Sequence, residues 1–225
     1  MPQAARRVWV TRTHPGAEAT AARLVGLGFE PVVAPLLAAR PIMGALLDLA
    51  GVQAIAFTSG QAVSAFAALT AERGWPVFAV GAATAALARQ AGFSTLTSAD
   101  GDVAALAEVI AAARPGLVLA PGALETAADL PALLAARGIA ARAVAVYETV
   151  RASLAAPPAD VGAVLLHSPK AARALAAMIA EPAAAGLEAY AISPAAAQPL
   201  AGRPFRAVHV AAQPNEAALL ALLSA

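Results

Sequence analysis

The chain has 225 residues, of which 60% are hydrophobic and 13% are charged, and its formal net charge is +1. A composition this apolar can bury a core and argues against disorder, whereas a charge this close to zero argues against a nucleic-acid binder, which usually carries a basic excess. The absence of cysteine excludes disulfides, thiolate metal sites and cysteine nucleophiles.

Membrane insertion and export are also disfavoured by the sequence. The longest apolar stretch, Gly74–Ala88, contains Pro76 and falls short of the ~18 residues that a membrane-spanning helix needs. Near the N-terminus, the apolar run Val8–Val10 is too brief for the core of a signal peptide. We therefore expect a soluble protein of the cytoplasm.

Short apolar runs alternate with longer helical patterns along the chain. The predicted strands are Val8–Thr11, Pro31–Val33, Ala54–Thr58, Val77–Val80, Leu117–Ala120, Ala143–Tyr147, Val164–Leu166, Tyr190–Ile192 and Ala207–Val210. The predicted helices include Ala17–Leu27, Gln61–Glu72, Thr84–Gln90, Val103–Ala113 and Leu124–Arg137. Gly28, Gly92 and Gly138 follow helices and suit the left-handed C-cap. This alternation indicates parallel sheets with helices on both faces.

The chain also contains an internal repeat, which indicates a duplicated unit. The matched segments are Phe57–Phe66 with Leu166–Leu175, Val77–Ala86 with Ala189–Gln198, and Asp102–Leu106 with Asn215–Leu219. The spacing between the copies drifts by only a few residues, as loop-length changes would cause.

One repeated unit breaks this order and predicts how the two halves are connected. The segment Val8–Val33 precedes all the other repeated segments. Its counterpart, Leu117–Val144, lies in the middle of the chain, between the first and the second set of those segments. One half is therefore inserted into the other. We predict an α/β fold of two similar parallel-sheet domains, flavodoxin-like or Rossmann-like, joined by two linker strands. The discontinuous domain comprises residues 1–36 and 151–225, and the inserted domain comprises residues 37–150.

The turns that follow the strands are the candidate binding site, because ligands of open parallel sheets lie beyond the carboxyl ends of the strands. Small or hydroxylated residues occupy these turns, namely Thr58, Ser59, Gly81, Thr84, Ser168 and Ser193. The helices that begin there have unpaired amides with a positive partial charge, which favours carboxylates. For each serine alone, plain N-capping is the alternative. Their repetition in both halves, facing one expected interdomain cleft, favours a ligand site.

Three further side chains are candidates for binding or chemistry. Tyr147 ends a strand at an expected crossing between the domains, where its phenol could donate a proton or simply be packed. Arg12 and Lys170 follow strand ends and could pair with carboxylates, or be solvated surface charges. The sequence contains no HExxH, GxSxG or GxGxxG pattern, which disfavours a zinc protease, a serine hydrolase and a dinucleotide-binding dehydrogenase.

Several short motifs together resemble those of uroporphyrinogen-III synthases over nearly the whole chain. They are Val10-Thr11-Arg12, Gly28-Phe29, Ala34-Pro35-Leu36, Phe57-Thr58-Ser59, Val80-Gly81 with Thr84-Ala85, Gly92-Phe93, Val146-Tyr147-Glu148-Thr149 and Ser168-Pro169. No single motif is specific, but their order and spacing together are similar to those of that family.

The resemblance implies a hydro-lyase of tetrapyrrole (haem) biosynthesis that is a monomer and uses no cofactor or metal. Its substrate would be hydroxymethylbilane, closed to uroporphyrinogen III with inversion of ring D through a spiro intermediate. By position, Tyr147 corresponds to the family's acid for loss of the ring A hydroxyl. Thr58, Ser59, Thr84 and Ser168 correspond to hydroxyls that line the cleft. A transient contact with the upstream bilane-forming enzyme is a further expectation.

Three positions depart from the family's pattern. His167 stands where threonine is usual, Pro121-Gly122 replaces Arg-Gly, and Ser193-Pro194-Ala195 begins a turn that lacks the family's threonine. Each change moves binding from a side chain to backbone amides. The alternative to the enzyme is a non-catalytic bilobed binding module for a small anionic ligand, which would have the same fold.

Overall fold

The structure is a computed structural model that describes residues 6–14, 16–126 and 129–224. The chain divides into two compact units. The first unit comprises Met1–Ala38 together with Val150–Ala225, and the second comprises Ala39–Thr149. The chain therefore passes from one unit to the other twice, after Ala38 and after Thr149.

The secondary structure alternates between strands and helices throughout the described chain. The strands are β1 Arg7–Val10, β2 Glu30–Val33, β3 Leu37–Pro41, β4 Ala54–Phe57, β5 Val77–Ala79, β6 Leu96–Ser98, β7 Val118–Ala123, β8 Ala141–Arg151, β9 Ala163–Leu166, β10 Glu188–Ala191 and β11 Ala207–Val210. The helices are α1 Gly16–Gly26, α2 Gly60–Leu69, α3 Ala82–Gln90, α4 Val103–Ala113, α5 Leu130–Ala135, α6 Pro169–Met178, α7 Glu181–Ala185, α8 Pro194–Ala197 and α9 Glu216–Ala221.

The first unit is built on a five-stranded sheet in the order β11-β10-β9-β1-β2. Its neighbouring strands all pair in parallel. Trp9 packs with α6 on one face, whereas Val8 and Val10 pack with α1 and α9 on the other. The three central strands, β9, β1 and β10, are buried on both faces, which explains why their sequences are mainly apolar.

The second unit is built on a six-stranded sheet in the order β3-β8-β7-β4-β5-β6. The pairs β4–β5, β4–β7, β5–β6 and β7–β8 are parallel. Ile55 and Phe57 pack against α2, while Ala54 and Ala56 pack against α4 on the opposite face. The predicted fold class is confirmed: both sheets are dominated by parallel pairs, and the strands that carry the chain between the units are β3 and β8.

Two predicted helices were too long. The helix predicted over Gln61–Glu72 ends at Leu69, because the next residues turn away and the Arg73 guanidinium donates hydrogen bonds to the carbonyl groups of Ala67 and Thr70. The helix predicted over Leu124–Arg137 is α5 alone in the described part, since β7 continues to Ala123 and Asp129 caps α5. Ala127 and Ala128 of that prediction lie outside the described residues.

Two observed strands, β3 and β6, have no counterpart among the nine predicted runs, although β3 lies where one of the two linker strands was expected. β6 has three residues, lies at the edge of its sheet and is only partly buried. Such a short edge strand has neither an apolar run nor a long alternation by which to detect it. In the described ranges, no helix combines the length and the apolar character needed to cross a membrane.

Candidate functional site

The predicted site residues of the second unit lie at the end of its sheet where the parallel strands have their carboxyl ends. β4 has β5 and β7 as its neighbours, and all three run in the same direction. The turn at Thr58 and Ser59 and the turn at Gly81 therefore follow adjacent strand ends. Gly60 allows α2 and α3 to approach closely, because a Cβ atom there would lie 2.3 Å from Leu87 Cδ1.

Tyr147 and Ser59 are brought together at this edge. The Tyr147 hydroxyl lies 3.2 Å from Ser59 Oγ, and either group can be the donor. Ser59 Oγ also accepts a hydrogen bond from the Ala62 N–H at 3.2 Å, which makes Ser59 the N-cap of α2. Tyr147 is opposite Ala123 in the sheet register, and its carbonyl accepts a hydrogen bond from Leu124. The phenol is thus tied to the beginning of a ten-residue helix.

The other predicted residues of the second unit have simpler surroundings. Thr58 is half-buried between β4 and the cap Ser59. Gly81 is the N-cap of α3 and provides no side-chain hydrogen bond to it. Thr84 lies in the first turn of α3 and is 7% exposed.

In the first unit, two predicted serines are helix caps. Ser168 Oγ accepts from the Ala171 N–H at 3.1 Å and begins α6, and Ser193 Oγ accepts from the Ala196 N–H at 3.3 Å and begins α8. Because β9 and β10 are parallel neighbours, both caps lie at the carboxyl edge of that sheet. Lys170 is half-buried in the first turn of α6.

Arg12 follows β1 at the same edge and belongs to an ion-pair network. Arg12 Nη1 lies 2.9 Å from Glu216 Oε2, and Arg23 Nη1 lies 2.9 Å from the same oxygen. The Thr20 hydroxyl donates to the other oxygen of Glu216. Two guanidinium groups share one carboxylate, so a net positive charge remains. Gly16 makes room for the Arg12 side chain, since a Cβ atom there would lie 2.6 Å from Arg12 Nε.

Glu216 was not among the predicted site residues. The internal repeat carried one signal for it, because Glu216 occupies the position that Val103 holds in the other copy. An acidic residue where the other copy has an apolar one indicates a basic side chain nearby that only the first unit has.

His167 follows β9, one residue before the cap Ser168. Both of its ring nitrogens are buried without a hydrogen-bond partner among the described residues. Burial, with a smaller contribution from the Arg12 charge, lowers the pKa of His167 to about 4, and Glu216 opposes this shift. The imidazole is therefore neutral at neutral pH.

Within the part of the chain that the structure describes, no group of three or more His, Cys, Asp or Glu side chains could hold a metal ion. The groups present at the two sheet edges are capped helix N-termini, hydroxyls, one phenol, one imidazole and a positively charged network. In each unit, groups of these kinds suit acidic ligands with hydrogen-bonding capacity.

Two parallel α/β units with such groups at their strand ends define a class of α/β proteins that bind anionic ligands at the carboxyl edge of the sheet. The sequence profile of the uroporphyrinogen-III synthase HemD family matches residues 18–221 of this chain. The chain therefore belongs to the uroporphyrinogen-III synthase family, which confirms the resemblance seen in its motifs. No curated protein matches the chain in sequence.

Solved structures are similar to this chain over almost its full length. The crystal structure of uroporphyrinogen-III synthetase from Helicobacter pylori is 20% identical, has a TM-score of 0.62 and is matched over 98% of both chains. At 20% identity, this structural similarity supports the two-sheet α/β fold of the chain. A mutant uroporphyrinogen III synthase from the extremely thermophilic bacterium Thermus thermophilus is 19% identical over 98% of both chains, with a TM-score of 0.48.

Proposed function

We propose that this chain is a uroporphyrinogen-III synthase, a hydro-lyase that closes hydroxymethylbilane to uroporphyrinogen III in haem biosynthesis. The family match supports the activity, and the observation that carries the mechanism is the hydrogen-bonded pair of Tyr147 and Ser59 at the start of α2. A non-catalytic binding module is not favoured, because the matched family is a family of synthases.

The reaction begins with loss of the hydroxyl group on ring A. The C–O bond breaks toward oxygen, Tyr147 gives its proton to the departing oxygen, and water leaves. Ring A becomes an electrophilic azafulvene, with its positive charge shared by the pyrrole nitrogen. The substituted carbon of ring D then attacks and forms the spiro intermediate. That intermediate fragments and recloses through the free carbon of ring D, and the proton lost there restores Tyr147.

Ser59 supports Tyr147 in this step. When the phenol gives up its proton, the Ser59 hydroxyl can donate to the phenolate oxygen. The Ala62 N–H, which already donates to Ser59 Oγ at 3.2 Å, polarises that hydroxyl further. This chain of donors ends in the positive partial charge of the α2 N-terminus.

Substrate binding is proposed for the remaining strand-end residues. Arg12 and Lys170 would pair with substrate carboxylates, and the amides of the turns at Gly81, Ser168 and Ser193 would donate to others. The hydroxyls of Thr58 and Thr84 are proposed as further contacts, with Thr84 the more buried of the two.

Orientation contributes more to this reaction than acid strength. A free azafulvene in water closes head-to-tail and yields the type I isomer, so the enzyme has to hold both ends and exclude water. The proposal includes a monomer in the cytoplasm that meets the upstream bilane-forming enzyme transiently, because released hydroxymethylbilane is lost to spontaneous closure.

The proposal is tested by incubating the protein with freshly generated hydroxymethylbilane and separating the product isomers after oxidation. We expect the type III isomer, formed faster than the spontaneous closure. Formation of the type I isomer alone, at the rate seen without protein, would contradict the proposed function.

A further inference from the structure

His167 combines two features that its role as a strand-end residue does not explain. Both ring nitrogens are buried, and neither has a hydrogen-bond partner among the described residues. Buried polar side-chain atoms are paired in the large majority of cases, so an unpaired donor and an unpaired acceptor on one ring call for an explanation.

The position of His167 places it among residues with proposed substrate contacts. β9 lies between β1 and β10 in the sheet, so His167 is flanked by the strand-end turns of Arg12 and Ser193. The internal repeat aligns His167 with Thr58 of the second unit. Where one copy has a short hydroxyl, this copy has a longer side chain with an acceptor nitrogen.

The charged groups that act on His167 do not occupy its nitrogens. Arg12 and Glu216 influence it electrostatically, but they pair with each other at 2.9 Å. A neutral imidazole offers one N–H donor and one bare nitrogen acceptor. A protonated ring would have two donors and no acceptor. The neutral ring can therefore both donate and accept a hydrogen bond.

We infer that His167 is a substrate-contacting residue whose imidazole accepts a hydrogen bond from a pyrrole N–H of the tetrapyrrole and donates its own N–H to a substrate carboxylate. This inference rests on the proposed function. Pyrrole N–H groups and carboxylates are the donor and acceptor that a tetrapyrrole polyacid offers, and they match the two unpaired nitrogens. The residue as a whole is half-buried, and rotation about its Cβ–Cγ bond, which has a broad torsional minimum, can turn a nitrogen toward a ligand.

The direct test is NMR on protein with ¹⁵N-labelled histidine, titrated with uroporphyrinogen III under anaerobic conditions. We expect the acceptor nitrogen of His167 to shift as it receives a hydrogen bond, while His209, at the exposed edge strand β11, stays unchanged. Saturating product without any shift of the His167 nitrogens would overturn the inference.

Variants provide a second test. His167→Phe keeps a planar aromatic ring at this position but removes both nitrogens, and we expect KM and the dissociation constant of the product to rise about tenfold, as for loss of one or two hydrogen bonds. The kcat should change little, and His167→Gln, which has both a donor and an acceptor, should recover most of the affinity. His209→Phe is the matched control and should bind as the wild type does.

The outcomes separate this inference from the proposed function. A wild type that makes the type III isomer, combined with a His167→Phe variant of unchanged KM and product affinity, overturns the role of His167 alone. A wild type that makes only the type I isomer overturns the function. Should His167→Phe fail to fold, the NMR titration of the wild type still decides the inference.

Discussion

The phenol of Tyr147 is the group on which the proposed proton transfer depends. Replacement by phenylalanine keeps the ring and removes only the hydroxyl, so we expect Tyr147→Phe to lower kcat about a hundredfold, the low end of the range for a general acid. The thermal midpoint should change little. Stopped assays of uroporphyrinogen III formation measure the effect.

The chain offers a matched control for this variant. Tyr190 is the other tyrosine, and its hydroxyl donates to Glu188 at 2.7 Å in the first unit, at the start of β10. Tyr190→Phe loses a comparable hydrogen bond but should turn over normally. Equal kcat values for the two variants would remove Tyr147 from the acid role.

Ser59 is predicted to act on turnover through Tyr147. Ser59→Ala removes both the cap of α2 and the partner of the phenol, so we expect about a tenfold lower kcat with an unchanged KM. Ser59→Thr keeps the hydroxyl and should restore the rate. Asp102 caps α4 by accepting from the Ala105 N–H at 2.9 Å, and Asp102→Ala should lose a similar stability, about 1 kcal/mol, without loss of turnover. A proportional fall in kcat for both alanine variants would reduce Ser59 to a structural cap.

His167 gives the stability of the protein a particular dependence on pH. Its pKa falls from 6.5 to about 4 on folding because burial disfavours the charged ring. The unfolded chain therefore binds a proton that the folded chain does not, and the free energy of unfolding decreases as the pH falls from 6.5 toward 4, by ~3 kcal/mol in all. The stability that comes from keeping His167 neutral is therefore fully present above pH 6.5, the pKa of the unfolded chain.

Urea unfolding of the wild type and of His167→Phe at several pH values measures this contribution. We expect the wild type to lose more stability across the acidic range than the variant does. Parallel curves for the two proteins would mean that folding does not lower the pKa of His167.

Helix ends provide a test of the backbone reasoning. Gly28 follows α1 with φ +83°, and a Cβ atom there would meet no neighbour within 4 Å. Gly28→Ala should therefore lower the free energy of unfolding by about 1 kcal/mol through backbone strain alone. Gly26, the last residue of α1, also has open space around it, and Gly26→Ala should be neutral or stabilising. Equal effects of the two substitutions in urea unfolding would contradict this account.

The elements that the sequence predicted well are those with strong local signals. The apolar runs of β4 and β9 and the helix α4 lie within one residue of their predicted bounds. The end of α2 was missed because Arg73, beyond the helix, satisfies its last carbonyl groups. Such an interaction is tertiary and leaves no trace in the helical period.

The candidate site was predictable in its residue types and less so in its pairings. Strand-end position identified Ser59 and Tyr147 separately, but the contact between them joins residues far apart in the sequence. The same limit applies to Arg12, whose pairing with Glu216 depends on how α9 packs beside α1. Long-range pairings follow from packing, which a single sequence specifies only indirectly.

The internal repeat extends to the architecture. Each unit has a sheet dominated by parallel pairs with helices on both faces, and Ser59 and Ser168 cap corresponding ten-residue helices. We propose that the two compact units are the two expected domains, residues 1–36 with 151–225 and residues 37–150. The copies have diverged in chemistry: Tyr147 joins Ser59 in one, whereas His167 precedes Ser168 in the other.

Ring inversion distinguishes this enzyme from any protein that merely binds a bilane, and it can be followed bond by bond. Hydroxymethylbilane is labelled with ¹³C at the carbon bridging rings C and D and at the ring D carbon bonded to it. Fragmentation of the spiro intermediate breaks that bond, so we predict that the one-bond ¹³C–¹³C coupling disappears from the product made with the protein. Retention of the coupling in all of the product, formed no faster than in buffer alone, would contradict the account.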